Sequence, residues 1–355
     1  MITMEDLLAL MVRKGGSDLH LSTNTPPRIR VDGALVSVNS PPLTPQDTRR
    51  LATSVLTSDQ IARLDRDHEL DCSFELEGSG RFRANVFYQR GAVAAVLRLV
   101  PFEILSFDTL GLPEDVCDRI CNLRAGLVLV CGATGSGKST TLASMIDRIN
   151  AARQGHIITI EDPIEFAHKS QQCLVTQREI GDDSHTFANA LRSVLRQDPD
   201  VVLVGELRDQ ETIEAALTLA ETGHLTFGTL HTSDAVQTMN RIVDVFPAHQ
   251  QSQILTQLSF SLEAVFCQQL LPNASGRGRT MASEILIATP GIRALIREGK
   301  AHQIYSHLQT GAKVGMRTMA GSLAQLIRSG AVRLDDAERT LSNPGELQSL
   351  IRGAA

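Results

Sequence analysis

The chain of 355 residues has no tryptophan, 13 phenylalanines and tyrosines together, and five lysines against 29 arginines. So few rings count against a stacking surface for single-stranded nucleic acid. Net charge is −6 and no run of Lys and Arg exceeds two residues, so no footprint for a phosphate backbone is visible. The six cysteines (Cys72, Cys117, Cys121, Cys131, Cys173 and Cys267) include no C-x-x-C pair. That excludes the usual four-cysteine zinc pattern and fits reduced, buried thiols in a cytosolic protein. No stretch of about 18 apolar residues exists to span a bilayer. The opening "MITMEDLLALMVRKGG" lacks the basic start and long apolar run of a signal peptide. Any membrane work is expected from the cytosolic face.

What is present suffices for two or three domains. Residues 1–100 read as a mixed α/β unit. Met4, Leu7, Leu8 and Met11 follow helical spacing, while "SDLHLS" and "PRIRVDGALVSV" alternate like strands around an Asp32-Gly33 hairpin signal. "LTPQDTRRLATSVLTSDQIARL" is Pro-started and helical in pattern. "GRFRANVFYQRGAVAAVLRLV" reads as two strands turning near Arg90-Gly91, which places Arg81, Arg83 and Arg98 on one face. Spacing alone favours a solvated strand face for these arginines. Residues 101–116, rich in Pro and Gly, read as a linker. Beyond it, "GLVLVCG", "HIITIED", "VVLVGE" and "LTFGTLHT" are short, continuous apolar strands, as in a parallel sheet covered on both faces. From about residue 248 the pattern turns mostly helical.

"GATGSGKS" (132–139) fits G-x-x-x-x-G-K-[ST], directly after an apolar strand and before a helical run. Such glycines let backbone N–H groups wrap phosphate oxygens at a helix N-terminus. Gly132, Ala133, Thr134, Gly135, Ser136, Gly137, Lys138, Ser139 and Thr140 are therefore expected to bind a nucleoside triphosphate. Lys138 would reach the terminal phosphates and the Ser139 hydroxyl would ligate Mg²⁺. In a chain with so few lysines, one at this position is informative. "PDVVLVGELRD" (199–209) then raises a difficulty. An Asp is expected directly after its apolar run to organise the metal, but Gly205 stands there, followed by Glu206. "TIEDPIEF" (159–166) offers Glu161, Asp162 and Glu165 at the end of another strand, as metal ligands or as ordinary strand-end acids. Glu206 is then expected to orient the attacking water. His224 and His231 are open between γ-phosphate sensing and structural roles, His224 at a helix C-terminus.

In order and wording these motifs resemble the secretion and type IV pilus motor ATPases, whose Walker A, Asp box, Walker B and His box they match. The resemblance runs from "GGSDLHLS" to "GIRALIREGK". Within the family the chain looks most like the pilus retraction branch. The assembly and type II secretion motors are longer and usually carry a four-cysteine zinc motif. The retraction branch carries a helix motif, A-I-R-N-L-I-R-E, which "GIRALIRE" (291–298) matches at six of eight positions, Gly291 and Ala294 departing. The resemblance implies an α/β fold with a PAS-like N-terminal domain (1–100), the linker (101–116), a RecA-like ATPase core (117–272) and a helical C-terminal region (273–355). It implies a homo-hexamer with ATP and Mg²⁺ between subunits, with Ser139, Glu161 and Asp162 at the metal. Glu206 would be the catalytic carboxylate, with Glu161, Asp162 and Glu165 of the Asp box and His224 and His231 of the His box beside it. Arg81, Arg83 and Arg98 would approach the nucleotide as domains close. The implied partners are an inner-membrane platform protein and a paralogous motor ATPase, with no nucleic acid and no membrane span. The implied place is the cytoplasm, peripheral to the inner membrane. The Gly205-Glu206 pair is that family's own form of the motif.

Overall fold

Three threonines open the helices of the first part of the chain. In the computed structural model, which describes residues 2–31, 33–76, 80–100, 104–341 and 344–352, the hydroxyls of Thr3, Thr44 and Thr57 accept the backbone N–H of the third helical residue. Asp6, Asp47 and Gln60 reach back to the cap N–H. Each box satisfies two donors that a helix start otherwise leaves unpaired. The helices are Met4–Arg13, Pro45–Thr53 and Ser58–Asp67. The last two divide the continuous helical pattern read over residues 43–64, because the second box starts a new helix at Thr57.

Six strands follow the same part of the chain: β1 (Asp18–Leu21), β2 (Arg28–Val31), β3 (Ala34–Ser37), β4 (Glu69–Leu76), β5 (Gly80–Gln89) and β6 (Ala92–Val100). They pair antiparallel in the order β3-β2-β1-β6-β5-β4. Phe82, Ala84 and Val86 of β5 are buried in a core with Leu7, Leu8 and Leu97, so the alternate residues Arg81 and Arg83 take the opposite face. Arg90 and Gly91 both have positive φ, the two-residue turn that suits strand twist, and the register sets Arg83 opposite Arg98. Asp32 lies outside the described residues; Val31 pairs with Ala34.

The chain divides into two compact units: Met1–Glu103 with Glu165–Ala167, and Ile104–Ile164 with His168–Ala355. The second holds seven strands: β7 (Gly126–Cys131), β8 (His156–Glu161), β9 (Leu174–Glu179), β10 (Val201–Val204), β11 (Leu225–Leu230), β12 (Leu262–Pro272) and β13 (Arg279–Ile287). Their order is β13-β12-β7-β11-β10-β8-β9, parallel except for β13. Strands β7, β10 and β11 are buried along their whole length, because helices cover both faces. Leu142, Met145 and Ile146 of helix Lys138–Ala152 pack on one face, with Val116 and Cys117 of helix Glu114–Cys121. Ile213, Leu217, Met239 and Ile254, from three further helices, pack on the other.

Two readings change here. Residues 262–272 and 279–287, expected in a mostly helical region, are strands. A strand buried between neighbours carries apolar residues on both faces, so "LEAVFCQQLL" shows no alternation to separate it from a helix. The stretch read as a linker carries helices Phe107–Leu110 and Glu114–Cys121, whose Phe107, Val116 and Ile120 are core residues; residues 101–103 lie outside the described ones. Among the described residues, no helix is long and apolar enough to cross a membrane. All six cysteines are buried free thiols.

Candidate active site

Parallel pairing brings four strand ends to one edge. Cys131 of β7 is level with Leu230 of β11, and Val204 of β10 with Gly228 of β11 and Ile160 of β8. The loop 132–137, the Glu161-Asp162 pair, Glu206 and His231 therefore emerge together at the carboxyl edge, where open α/β sheets bind ligands.

The phosphate loop takes its shape from its glycines. Gly132 has φ +144, and a Cβ there would lie 2.5 Å from both the Gln268 carbonyl oxygen and Ser136 Oγ. Only glycine fits that turn. Gly137, at φ +93, leads into helix Lys138–Ala152 with no side-chain cap, leaving the N-terminal N–H groups free for an anion. Ala133, Thr134, Gly135 and Ser139 are exposed, whereas Ser136 is buried and its Oγ has no hydrogen-bond partner in the protein. Lys138 Nζ donates to the carbonyls of Gly132 (2.8 Å) and Ala133 (3.1 Å). Burial lowers its pKa, and Glu206 opposes that shift.

Glu206 is the centre of a charge cluster. Arg208 Nη2 lies 2.7 Å from one carboxylate oxygen and His231 Nε2 lies 3.4 Å from the other. The Arg208 hydrogen bond holds Glu206 below the usual carboxylate range; burial opposes it, and His231 and Lys138 add to it. The sequence reading missed Arg208, although it stands in the stretch "GELRD" itself. Which neighbouring arginine folds back on a carboxylate is not a property of spacing.

Glu161 is buried and accepts from Thr159 Oγ1 at 2.6 Å and Gln177 Nε2 at 3.2 Å. Asp162, next in the chain, is exposed. Gly205 separates these acids from Glu206. Its N–H donates to the Ile160 carbonyl at 2.8 Å, and a Cβ on it would lie 3.1 Å from that oxygen and 3.2 Å from Glu161 Cα. The two strand ends thus lie too close for an easy side chain at 205.

His224 lies at the other end of β11. His224 precedes β11 and His231 follows it, so roughly 20 Å of strand separates them. His224 Nδ1 meets the Leu219 carbonyl at 3.0 Å and Thr222 Oγ1 at 3.1 Å, at a helix C-terminus. Glu165 groups with the first unit, where its carboxylate meets Arg83 Nη1 at 3.2 Å. Arg98 Nε donates to buried Asp18 at 2.8 Å. Arg81 is level with Val100 on β6.

The profile of the type II/IV secretion system protein family matches residues 2–339. The chain belongs to that family. It is 48% identical over 339 residues to the type IV pilus retraction ATPase PilT of Pseudomonas aeruginosa, covering 96% of this chain and 98% of that one. It is 49% identical over 317 residues to a twitching motility protein of Neisseria gonorrhoeae, covering 89% and 84%. The crystal structure of a pilus retraction motor, PilT with bound ADP, matches with a TM-score of 0.92 at 49% identity, covering 98% of this chain and 99% of that chain. The family relationship thus extends through both units, and beyond the phosphate loop alone.

Proposed function

We propose that this protein is the ATP-hydrolysing motor that retracts type IV pili and so drives twitching motility. The observation that carries the reading is Glu206, held ionised by Arg208 and touching His231 at the same sheet edge as the phosphate loop. Similarity over nearly the whole length of a retraction ATPase supports the choice of load. Lys138 and the loop amides bind the phosphates. Glu206 orients the attacking water, and His231 senses the change in charge beside it.

The donor set fits Mg²⁺. Among the described residues no group of three His, Cys, Asp or Glu could hold a metal. Mg²⁺ needs no such cage, since it is commonly held by one or two protein oxygens plus substrate phosphates and water. Ser139 and Asp162 offer exposed oxygens, and Glu161 a buried one. When bound, the ion supplies charge neutralisation at the phosphates. Arg81, Arg83 and Arg98 add positive charge late in the cycle, and Glu165 and His224 act through their boxes; these roles rest on the motif match. The working form is a homo-hexamer at the cytosolic face of the inner membrane, acting on a platform protein beside a paralogous motor. The division into an N-terminal domain, an ATPase core and a C-terminal region belongs to the same proposal, with residues 104–116 and β13 counted with the core.

Deletion of the gene with complementation tests the reading. Piliated, non-twitching cells, unrescued by Glu206→Gln, are the expected result, whereas bald cells would assign the chain to assembly. In vitro, Glu206→Gln keeps nucleotide binding and loses phosphate release, while Lys138→Ala weakens binding itself.

A further inference from the structure

Gln268 of β12 is 1% exposed, and the phosphate loop starts against it. Parallel pairing between β12 and β7 ends at Cys267 and Cys131, so Gln268 is the first residue beyond the ladder, beside Gly132. Its main-chain oxygen is one of the two atoms, each 2.5 Å away, that leave Gly132 no room for a Cβ. Its side chain reaches the helix that follows the loop, where Nε2 donates to Thr141 Oγ1 at 2.6 Å. Thr141 is 1% exposed and lies in the first turn of helix Lys138–Ala152. The N–H of Thr141 donates to the Gly137 carbonyl at 3.0 Å. Leu270, on the same face of β12, stands 3.9 Å from where a Cβ on Gly137 would lie. One short stretch of β12 thus meets both ends of the loop and the start of the helix.

Packing alone would not select this residue. The other end of the amide, Oε1, is buried and accepts from no group among the described residues. Nε2 also lies 2.9 Å from Met281 Sδ, a thioether that accepts only weakly. An unpaired buried acceptor is costly, and a leucine of similar size would remove it. What the glutamine has and a leucine lacks is the hydrogen bond to Thr141.

We propose that Gln268 is a positioning residue for nucleotide binding: it ties the first residue of the phosphate loop and the first turn of the following helix to one point on β12. Lys138 and Ser139, in the same turn as Thr141, are thereby held in place relative to Gly132. The inference rests on the phosphate loop as a nucleotide site for its consequence, and on the geometry of β12 for its cause. The loop binds phosphates common to ADP and ATP. Loss of the tie should therefore weaken both nucleotides alike and leave the chemical step little changed.

The test is Gln268→Leu in the full chain, with Thr141→Val and the double variant to close the cycle. In Gln268→Leu, affinity for ADP and KM for ATP should each weaken about tenfold, the scale of one buried hydrogen bond, with kcat within about twofold of wild type. Its melting temperature should equal or exceed that of wild type, because the unpaired oxygen is gone. Thr141→Val, which removes the other partner, should weaken ADP binding by a similar factor, and the double variant by no more than either alone. Hydrogen exchange in the nucleotide-free variants should quicken at residues 141–144 and not in β7. Unchanged ADP affinity in Gln268→Leu, or losses that multiply in the double variant, overturns the proposal. A lowered melting temperature with protection lost throughout the unit makes Gln268 an ordinary packing residue and also overturns it. A wild-type chain that binds no nucleotide would sink the functional reading, while the exchange pattern would still decide the tie.

Discussion

Replacing Gly205 with Asp inserts the residue expected at that position, and it should harm the protein. The backbone at 205 does not need glycine's left-handed freedom, so the effect is one of space alone. A Cβ would stand 3.1 Å from the Ile160 oxygen and 3.2 Å from Glu161 Cα. Both neighbours are backbone, and neither can swing aside. Ile160 is held by its hydrogen bond from Gly205 and Glu161 by the one from Ile180, at 2.8 and 2.9 Å. Crowding of this kind costs about 1–3 kcal/mol. Loss of glycine's freedom in the unfolded chain offsets about 0.4–1 kcal/mol of it. For Gly205→Ala the net is about 1 kcal/mol, and Gly205→Asp adds a carboxylate between Glu161 and Glu206, whose like charges repel. In a unit of this size 1 kcal/mol corresponds to roughly 2–4 °C. Calorimetry should therefore show the alanine variant melting a few degrees lower and the aspartate variant lower still, with turnover falling more than ATP affinity in both. If both variants melt within about 1 °C of wild type and turn over ATP normally, the close approach does not dictate the glycine.

Two further outcomes follow from the charge pairs. Arg208→Ala removes the hydrogen bond that most lowers the Glu206 pKa. A lowered carboxyl stays ionised to lower pH, so in the variant the acid-side loss of kcat should begin at higher pH while alkaline activity changes little; coincident pH–rate profiles would refute the pairing. Asp18→Ala removes a buried carboxylate that accepts from Ser17 at 2.7 Å and Arg98 at 2.8 Å. It should weaken the first unit by about 1–3 kcal/mol, read as faster hydrogen exchange in β1 and β6. Burial raises the Asp18 pKa, but Ser17 and Arg98 lower it further. The contribution is therefore fully present above the ordinary carboxylate range and is lost as pH falls from there through the lower folded-state pKa.

The parts of the site legible in the sequence are those whose chemistry is local. The phosphate loop is nine consecutive residues, and its glycines and lysine carry their meaning at fixed spacing. The hairpin of β5 and β6 was legible because Arg90-Gly91 sets the register, and the register sets Arg83 against Arg98. His224 and His231 look like one box because they are seven residues apart, yet a whole strand lies between them. Gln268 is 127 residues from the hydroxyl it holds, so no local pattern announces it. Strand β12 escapes for a related reason: its apolar residues fall on both faces, with no alternation, and periodicity cannot report burial on two faces.

The odd feature of the sequence, a glycine where an acid was expected, follows from how closely β8 and β10 end against each other. With no room at 205, a carboxylate can stand only before or after that point of contact. The chain places acids on both sides of it. Glu161 and Asp162 end β8, the first buried on Thr159 and Gln177 and the second exposed. Glu206 follows β10 and is held by Arg208 and His231. The separation matters chemically, because two acids side by side would raise one another's pKa and leave one protonated. Divided by Gly205, Glu206 instead has cationic groups about it and stays ionised, the state a water-orienting base requires.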